Sequence, residues 1–327
     1  GMFISPPSAE ITVGPSPLGI QLADVNNDGT PDILTANSSR SAQGSVSVRL
    51  GNGAGGFSSP HIPELAIGTE PYDLVADDFN GDGRIDIAVA SPFFDERIFI
   101  RFGYGDGWFY ELFNGSVVAR SSRITSGDLN GDGYPDIAGA SGVQNSISLR
   151  DSDATGIFSL PTNSEIGFPG QVISVATGDI NHDGRLDLFG GVFGSSNDGI
   201  HLRLNDGNGG YTTPVTPRIT QNSLTYSIAV ADVNNDGIQD VIGTAFSDNA
   251  VVVRLGTCTV PNVSIAGRVT TPTGIGLRNA NVSLIDQSGF RRQATTSSFG
   301  NYNFPSVPAG AFTLRVSSRR YRFAPSQ

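Results

Sequence analysis

The chain has 327 residues, of which 38% are hydrophobic and 16% charged, and a formal net charge of −11. It is long enough for two domains and apolar enough for packed cores, but too acidic to offer nucleic-acid phosphates a basic face. No apolar run approaches the roughly 18 residues of a membrane span, and a single cysteine, Cys258, excludes a disulfide framework.

All 20 basic residues are arginine, and 25 of the 31 acids are aspartate. With 42 glycines and 19 prolines, that balance favours turns over helices and points to an all-β chain. In chain order, residues 1–17 (GMFISPPSAEITVGPSP) resemble residues 55–71 (GGFSSPHIPELAIGTEP) and read as the outer strand of a sheet. A repeat follows. DVNNDGTPD starts at Asp24, DFNGDGRID at Asp78, DLNGDGYPD at Asp128, DINHDGRLD at Asp179 and DVNNDGIQD at Asp232, in steps of 54, 50, 51 and 53 residues. All five obey D-x-N-x-D-G-x-x-D.

The flanks repeat as well. An apolar residue stands four places before each first aspartate: Ile20, Leu74, Ile124, Val175 and Ile228. Another follows each last one: Ile33, Ile87, Ile137, Leu188 and Val241. Small residues come next (Ala36, Ala90, Ala140, Gly191), as crowded inner strands require. An alternating segment then recurs as SVSVRL, RIFIRF, SISLRD, GIHLRL and AVVVRL, the period of a half-buried strand. Each ends at an arginine (Arg49, Arg101, Arg150, Arg203, Arg254), expected to form salt bridges between repeats, with an acid-binding ring as the alternative. Glycine turns lead on to Phe57, Phe109, Phe158 and Tyr211, expected to staple neighbouring repeats together.

Each unit therefore reads strand, Asp-rich loop, strand, turn, strand, glycine turn, strand. Four antiparallel strands in about 50 residues is the size of a propeller blade. The expected fold is an all-β propeller over residues 1–257, five four-stranded blades closed by the N-terminal strand. The fifth repeat lacks its own outer strand, and the first and last pieces add up to one blade. Residues 258–327 have no Asp-rich loop and carry six strand-like runs between turns, the pattern of a small β-sandwich that ends where one more strand is expected.

The loops point to calcium. It is a hard cation that takes six to eight oxygens from carboxylates, amides, main-chain carbonyls and water. Positions 1, 3, 5 and 9 supply side chains and position 7 a carbonyl. The expected sets are Asp24, Asn26, Asp28, Thr30 and Asp32; Asp78, Asn80, Asp82, Arg84 and Asp86; Asp128, Asn130, Asp132, Tyr134 and Asp136; Asp179, Asn181, Asp183, Arg185 and Asp187; and Asp232, Asn234, Asp236, Ile238 and Asp240. Glycine at position 6 permits the sharp turn. Zinc and copper would want His or Cys, and an EF-hand would need glutamate at position 12, where Thr35, Val89, Gly139, Gly190 and Gly243 stand. Three carboxylates crowded together without a cation would raise one another's pKa. Five calcium ions per chain would take −11 to −1.

These repeats resemble the FG-GAP/VCBS family, the calcium-loop propeller blades of integrin α-subunits and many bacterial surface proteins. The resemblance covers residues 1–256 and implies calcium on the loops joining the first two strands of each blade; integrin-type propellers have seven blades, against five repeats here. The C-terminal segment, through GRVTTPTGIGLRNANVSL, TTSSFGNYNF and VPAG, resembles a carboxypeptidase regulatory-like or Cna-B-type sandwich. Without lysine, the Lys–Asn cross-link of some Cna-B-type domains cannot form.

No catalytic constellation stands out. His61, His182 and His201 are scattered through the repeat frame, and neither G-x-S-x-G nor H-E-x-x-H occurs. The expectation is a non-enzymatic, calcium-stiffened scaffold for protein interaction or cell adhesion, secreted or on a bacterial cell surface, where calcium reaches the 10⁻⁴–10⁻³ M range of extracellular modules. The competing readings are a calcium-dependent lectin and the non-catalytic propeller of a secreted polysaccharide-active enzyme. The partner is an extracellular protein or glycan. Cys258 is expected to be an inert thiol.

Overall fold

In the computed structural model the residues described are 10–39, 43–93, 95–110, 116–118, 120–141, 143–194, 197–219, 223–257, 263–271, 273–286, 291–307 and 312–318. Cys258 lies outside them. The chain forms two compact units, Gly1–Gly256 and Thr257–Gln327.

The first unit is a β-propeller array, each repeat an antiparallel sheet laid out in chain order. Sheet 1 runs Pro17–Ala23, Asp32–Asn37 and Ser45–Gly51, with Phe57–Ser58 and Glu64–Ala66 both pairing to the third strand. Sheet 2 is Asp73–Asp77, Asp86–Ser91 and Arg97–Gly103, again with two short outer pieces, Phe109–Tyr110 and Ser116–Val118. Sheet 3 is Arg123–Gly127, Asp136–Ala140, Ser146–Arg150 and Glu165–Gly167; sheet 4 is Gln171–Gly178, Asp187–Phe193, Gly199–Asn205 and Tyr211–Thr212. Sheet 5 has three strands among the described residues, Ile228–Ala231, Asp240–Ala245 and Ala250–Arg254.

Core packing runs from each sheet to the next. Leu34, Val46 and Val48 of sheet 1 share a cluster with Leu74 and Ile87 of sheet 2. Ile98 and Ile100 of sheet 2 join Ile124 and Ile137 of sheet 3; Ile147 and Leu149 join Val175 and Leu188 of sheet 4; Phe189 and Ile200 join Val241 of sheet 5. The period-two alternation thus fills the gap between sheets, as the hydrophobic effect requires of a half-buried strand. The small residues of the second strands sit where space runs out: a Cβ on Gly191 would run into Ser174 Oγ and the Thr225 carbonyl.

The recurring aromatics reach back one sheet. Phe109 of sheet 2 packs on the sheet 1 cluster, Phe158 on that of sheet 2, and Tyr211 on that of sheet 3. Arg49 and Arg203 depart from the expected ion pairs between sheets. Arg49 pairs with Glu64 of its own sheet at 2.7 Å. Arg203 instead crosses to the outer strand of sheet 3, donating Nε and Nη2 to the Gly167 carbonyl at 3.0 and 2.7 Å while its guanidinium lies over Phe168. A carbonyl gives a buried guanidinium a partner without taking a second charge out of water.

Closure between sheets 5 and 1 is not seen among the described residues. Ile20 is 66% exposed, although Leu74, its equivalent one repeat on, is 2% exposed against the preceding sheet. Val251 is 65% exposed, whereas its equivalents Val46, Ile98, Ile147 and Ile200 are 1% or less. Residues 1–9, part of the strand expected to close the ring, lie outside the described residues.

The second unit has two sheets, Val263–Arg268 with Asn301–Val307, and Arg291–Thr295, Asn281–Asp286 and Phe312–Ser317. Five strands are present among the described residues, one fewer than the six runs read from the sequence. Val269, Leu277, Val282, Leu284 and Phe304 form its core.

Candidate metal-binding loops

Each Asp-rich loop joins the first two strands of its sheet, and its ninth residue is the first of the second strand. Asp32 lies opposite Ala23, Asp86 opposite Asp77, Asp136 opposite Gly127, Asp187 opposite Gly178 and Asp240 opposite Ala231. Two left-handed residues bend the loop within that span. Position 6 is always glycine, with φ between 81° and 91°. Position 4 is Asn27, Gly81, Gly131, His182 or Asn235, all at positive φ. Glycine and asparagine tolerate this region best.

The backbone so bent gathers the side chains of positions 1, 3 and 5. In the first loop, Asp24 Oδ1 and Asn26 Oδ1 accept from the same N–H, that of Asp28, at 3.1 Å each, and Asp24 Oδ2 accepts from the Gly29 amide at 2.7 Å. Asn26 Nδ2 donates to Asp28 Oδ2 at 2.9 Å, and the Thr30 amide donates to Asp28 Oδ1 at 2.8 Å. The second loop repeats the set with Asp78, Asn80 and Asp82, whose shared amide (Asp82) is 3.0 Å from both oxygens and whose Arg84 amide caps Asp82. Asp128, Asn130 and Asp132 do the same, as do Asp179, Asn181 and Asp183, and Asp232, Asn234 and Asp236. Tyr134, Arg185 and Ile238 at position 7 each donate their amide to the position-5 carboxylate.

The ninth aspartate stands apart, wholly buried in every repeat. Its two oxygens hold two main-chain amides, and at Asp136 a third, that of Asn130 at 3.2 Å. Asp32 takes those of Val25 (2.9 Å) and Gly51 (2.7 Å); Asp86 those of Phe79 (3.1 Å) and Gly103 (2.8 Å). Asp136, Asp187 and Asp240 take Leu129 and Ser152, Ile180 and Asn205, and Val233 and Gly256. The sequence reading makes this residue an ordinary fourth side-chain ligand. The structure gives it main-chain partners that the spacing alone does not reveal.

Charge follows position. Asp28 is held below the usual carboxylate range by its bonds from Thr30 and Asn26. Burial, opposed by the Gly103 amide and reinforced by Asp82 and Asp78, pushes Asp86 up to about 7. Burial likewise lifts Asp136 to about 7 and Asp187 to about 6. Among the described residues no group of three His, Cys, Asp or Glu side chains stands as a metal centre, the third carboxylate of each loop being turned onto amides. The donor chemistry nonetheless fits a hard cation: two carboxylates and an amide oxygen on one short bend, and no nitrogen or sulfur ligand.

Residues that the motif does not mark also organise the sheets. Glu64 accepts from Ser47 Oγ at 2.6 Å and Ser45 Oγ at 3.2 Å, and Glu165 accepts from Ser148 and Ser146 at 2.6 and 2.7 Å. The signal was present in the sequence: glutamate occurs six times, and two of those lie 17 residues beyond the second serine of an S-x-S on the third strand.

The FG-GAP-like repeat model matches residues 24–89, 78–139, 128–190 and 192–243, and the carboxypeptidase regulatory-like domain model matches 264–325. The repeat matches span well over half of the chain, which therefore belongs to the FG-GAP-like repeat family and carries a carboxypeptidase regulatory-like domain behind the repeats. Both matched models describe non-catalytic domains. No curated protein matches the chain. Among solved structures it is similar to the V. cholerae biofilm matrix protein Bap1, at 15% identity and a TM-score of 0.44 over 93% of this chain and 61% of that one. It is also similar to BBS1N from its complex with ARL6DN (11%, 0.45, 91% and 94%) and to the exotype rhamnogalacturonan lyase YesX (15%, 0.41, 88% and 56%). The chain thus spans less than two thirds of the first and last of these. No helix among the described residues is long and apolar enough to cross a membrane.

Proposed function

We propose that the first unit is an extracellular, calcium-stiffened scaffold for protein contacts, with one calcium ion in each of the five loops. The observation that carries this reading is the pair of oxygens at positions 1 and 3 converging on a single amide in all five loops. In the second repeat the ion would be held by Asp78, Asn80 and Asp82 with the Arg84 carbonyl, while Asp86, its oxygens on the Phe79 and Gly103 amides, would face the ion only through the lone pairs those amides leave free. Calcium supplies positive charge where the loop concentrates negative charge, and so favours the ionised carboxylates. Such loops load at millimolar calcium, which supports an extracellular location and a role in surface contact or adhesion.

Calorimetric titration of metal-free protein tests the reading. Wild type should take up close to five calcium ions, and the Asp78→Asn/Asp82→Asn variant close to four. Equal uptake by the two proteins would contradict the assignment. Protein and glycan arrays separate the partner classes: strong glycan binding, lost on mutating one surface, would replace the protein scaffold with a lectin.

A further inference from the structure

The ninth aspartate is the one acidic residue of each loop that is wholly buried, and it joins two places far apart in sequence. In the second repeat Asp86 Oδ2 accepts from the amide of Phe79, at the loop's second position, at 3.1 Å. Its Oδ1 accepts at 2.8 Å from the amide of Gly103, the last residue of the third strand. Phe79 is itself fully buried, its ring edge-on to Phe158 of the next sheet. The one carboxylate thus connects the loop, its own third strand and a residue packed against the following sheet. The pair of amides recurs in all five repeats, always one from the second loop position and one from the last residue of the third strand or two residues beyond it.

We propose that the ninth aspartate is a strand clamp. It ties the loop to the third strand and thereby holds the oxygens of positions 1, 3 and 5 in their converged arrangement before any ion arrives. Ionic acceptors on main-chain amides make strong hydrogen bonds, and here both carboxylate oxygens are used in a buried site. Asparagine in the same place would turn an NH2 group against one of the two amides, leaving a buried donor without an acceptor. Positions 1 and 5, which bond only within the exposed loop, have no such reach. The inference deepens the calcium reading, since it concerns the same loops, but it is tested without calcium.

Amide hydrogen exchange on the full chain in EDTA is the experiment. In metal-free wild type the Phe79 and Gly103 amides should exchange at least about tenfold more slowly than the loop amides of Asp82 and Gly83. Asp86→Asn should remove that difference and accelerate the Asp82 and Gly83 amides, while the other four loops stay as they are. Asp82→Asn should leave Phe79 and Gly103 protected. Phe79 and Gly103 amides exchanging as fast as the loop in wild type, or unchanged protection in Asp86→Asn, would overturn the clamp. The wild-type comparison stands even where the variant does not fold. Failure of the calcium reading would show separately, as the absence of uptake in a titration.

Discussion

Phe158 of the third sheet stands edge-on to Phe79 of the second, ring centroids 5.4 Å apart at 67°. The contact joins a glycine-turn aromatic of one repeat to the second loop residue of the repeat before it, so the packing between sheets and the shape of the loop depend on each other. Phe158→Ala should lower stability by about 2–3 kcal/mol, below the full cost of emptying a core phenylalanine because the ring is only partly buried. Denaturant unfolding measures it. Asp78→Asn, by contrast, lies on the exposed part of the loop and should cost metal-free protein well under half as much.

The loop's bend offers a cleaner test of backbone chemistry. Gly83 has φ 81°, and a Cβ built there meets nothing within 4 Å. Any cost of substitution is therefore conformational. Gly83→Ala should cost about 1–2 kcal/mol, Gly83→Asn less, and Gly83→Val more, since a β-branched residue tolerates the left-handed region least. Thermal unfolding of the three variants should give that order; a cost for alanine indistinguishable from zero would contradict the bend.

The core of sheet 1 depends on a guanidinium. Arg49, 8% exposed, donates to the Thr12 carbonyl at 2.8 Å and the Pro63 carbonyl at 3.1 Å besides pairing with Glu64. Arg49→Lys keeps the charge but not the planar fork, and should cost about 1–2 kcal/mol. Glu64→Gln should cost less, since the glutamate is more than a third exposed and its ion pair is partly screened. Equal losses would mean that the ion pair, and not the set of carbonyl bonds, holds the strand.

Much of this was legible in the sequence because each repeat states its own strand order. The strands before and after D-x-N-x-D-G-x-x-D, the inward faces of SVSVRL and RIFIRF, and the stapling of neighbouring repeats by Phe109, Phe158 and Tyr211 follow from periodicity and repetition, though not that these rings reach back and not forward. What failed to show depends on partners set by the third dimension. Arg203 could be placed at a strand end, but nothing in its spacing says that a carbonyl of the preceding sheet lies nearer than a carboxylate. Asp86 has the spacing of a ligand, and its bond to Gly103, 17 residues on, exists only once the third strand has come alongside the second. Closure of the ring belongs to the same class, since the exposure of Ile20 and Val251 depends on which sheets meet.

His201 gives the molecule a dependence on pH. It is 4% exposed, with Nε2 on the Asn197 carbonyl at 2.8 Å, and Nδ1 has no hydrogen-bond partner among the described residues. Burial chiefly, with Arg203 and Arg218 nearby, holds its pKa below the ordinary histidine value of about 6.5. The folded state therefore favours the neutral ring. The stability His201 contributes is present above about pH 6.5 and is lost as pH falls from there toward the lower folded-state value. The difference in melting temperature between wild type and His201→Gln should shift against wild type between pH 7 and pH 5. A pH-independent difference would mean that the ring is not held neutral.

The measurement closest to the central claim is metal content together with thermal unfolding, on protein loaded with calcium and on protein stripped with EDTA. The account predicts close to five calcium ions per chain and a large fall in melting temperature on stripping, because bound ligand stabilises the folded state by mass action. Protein that retains no calcium after loading, and melts at the same temperature in EDTA, would reduce the five loops to hydrogen-bonded aspartate turns and contradict the account.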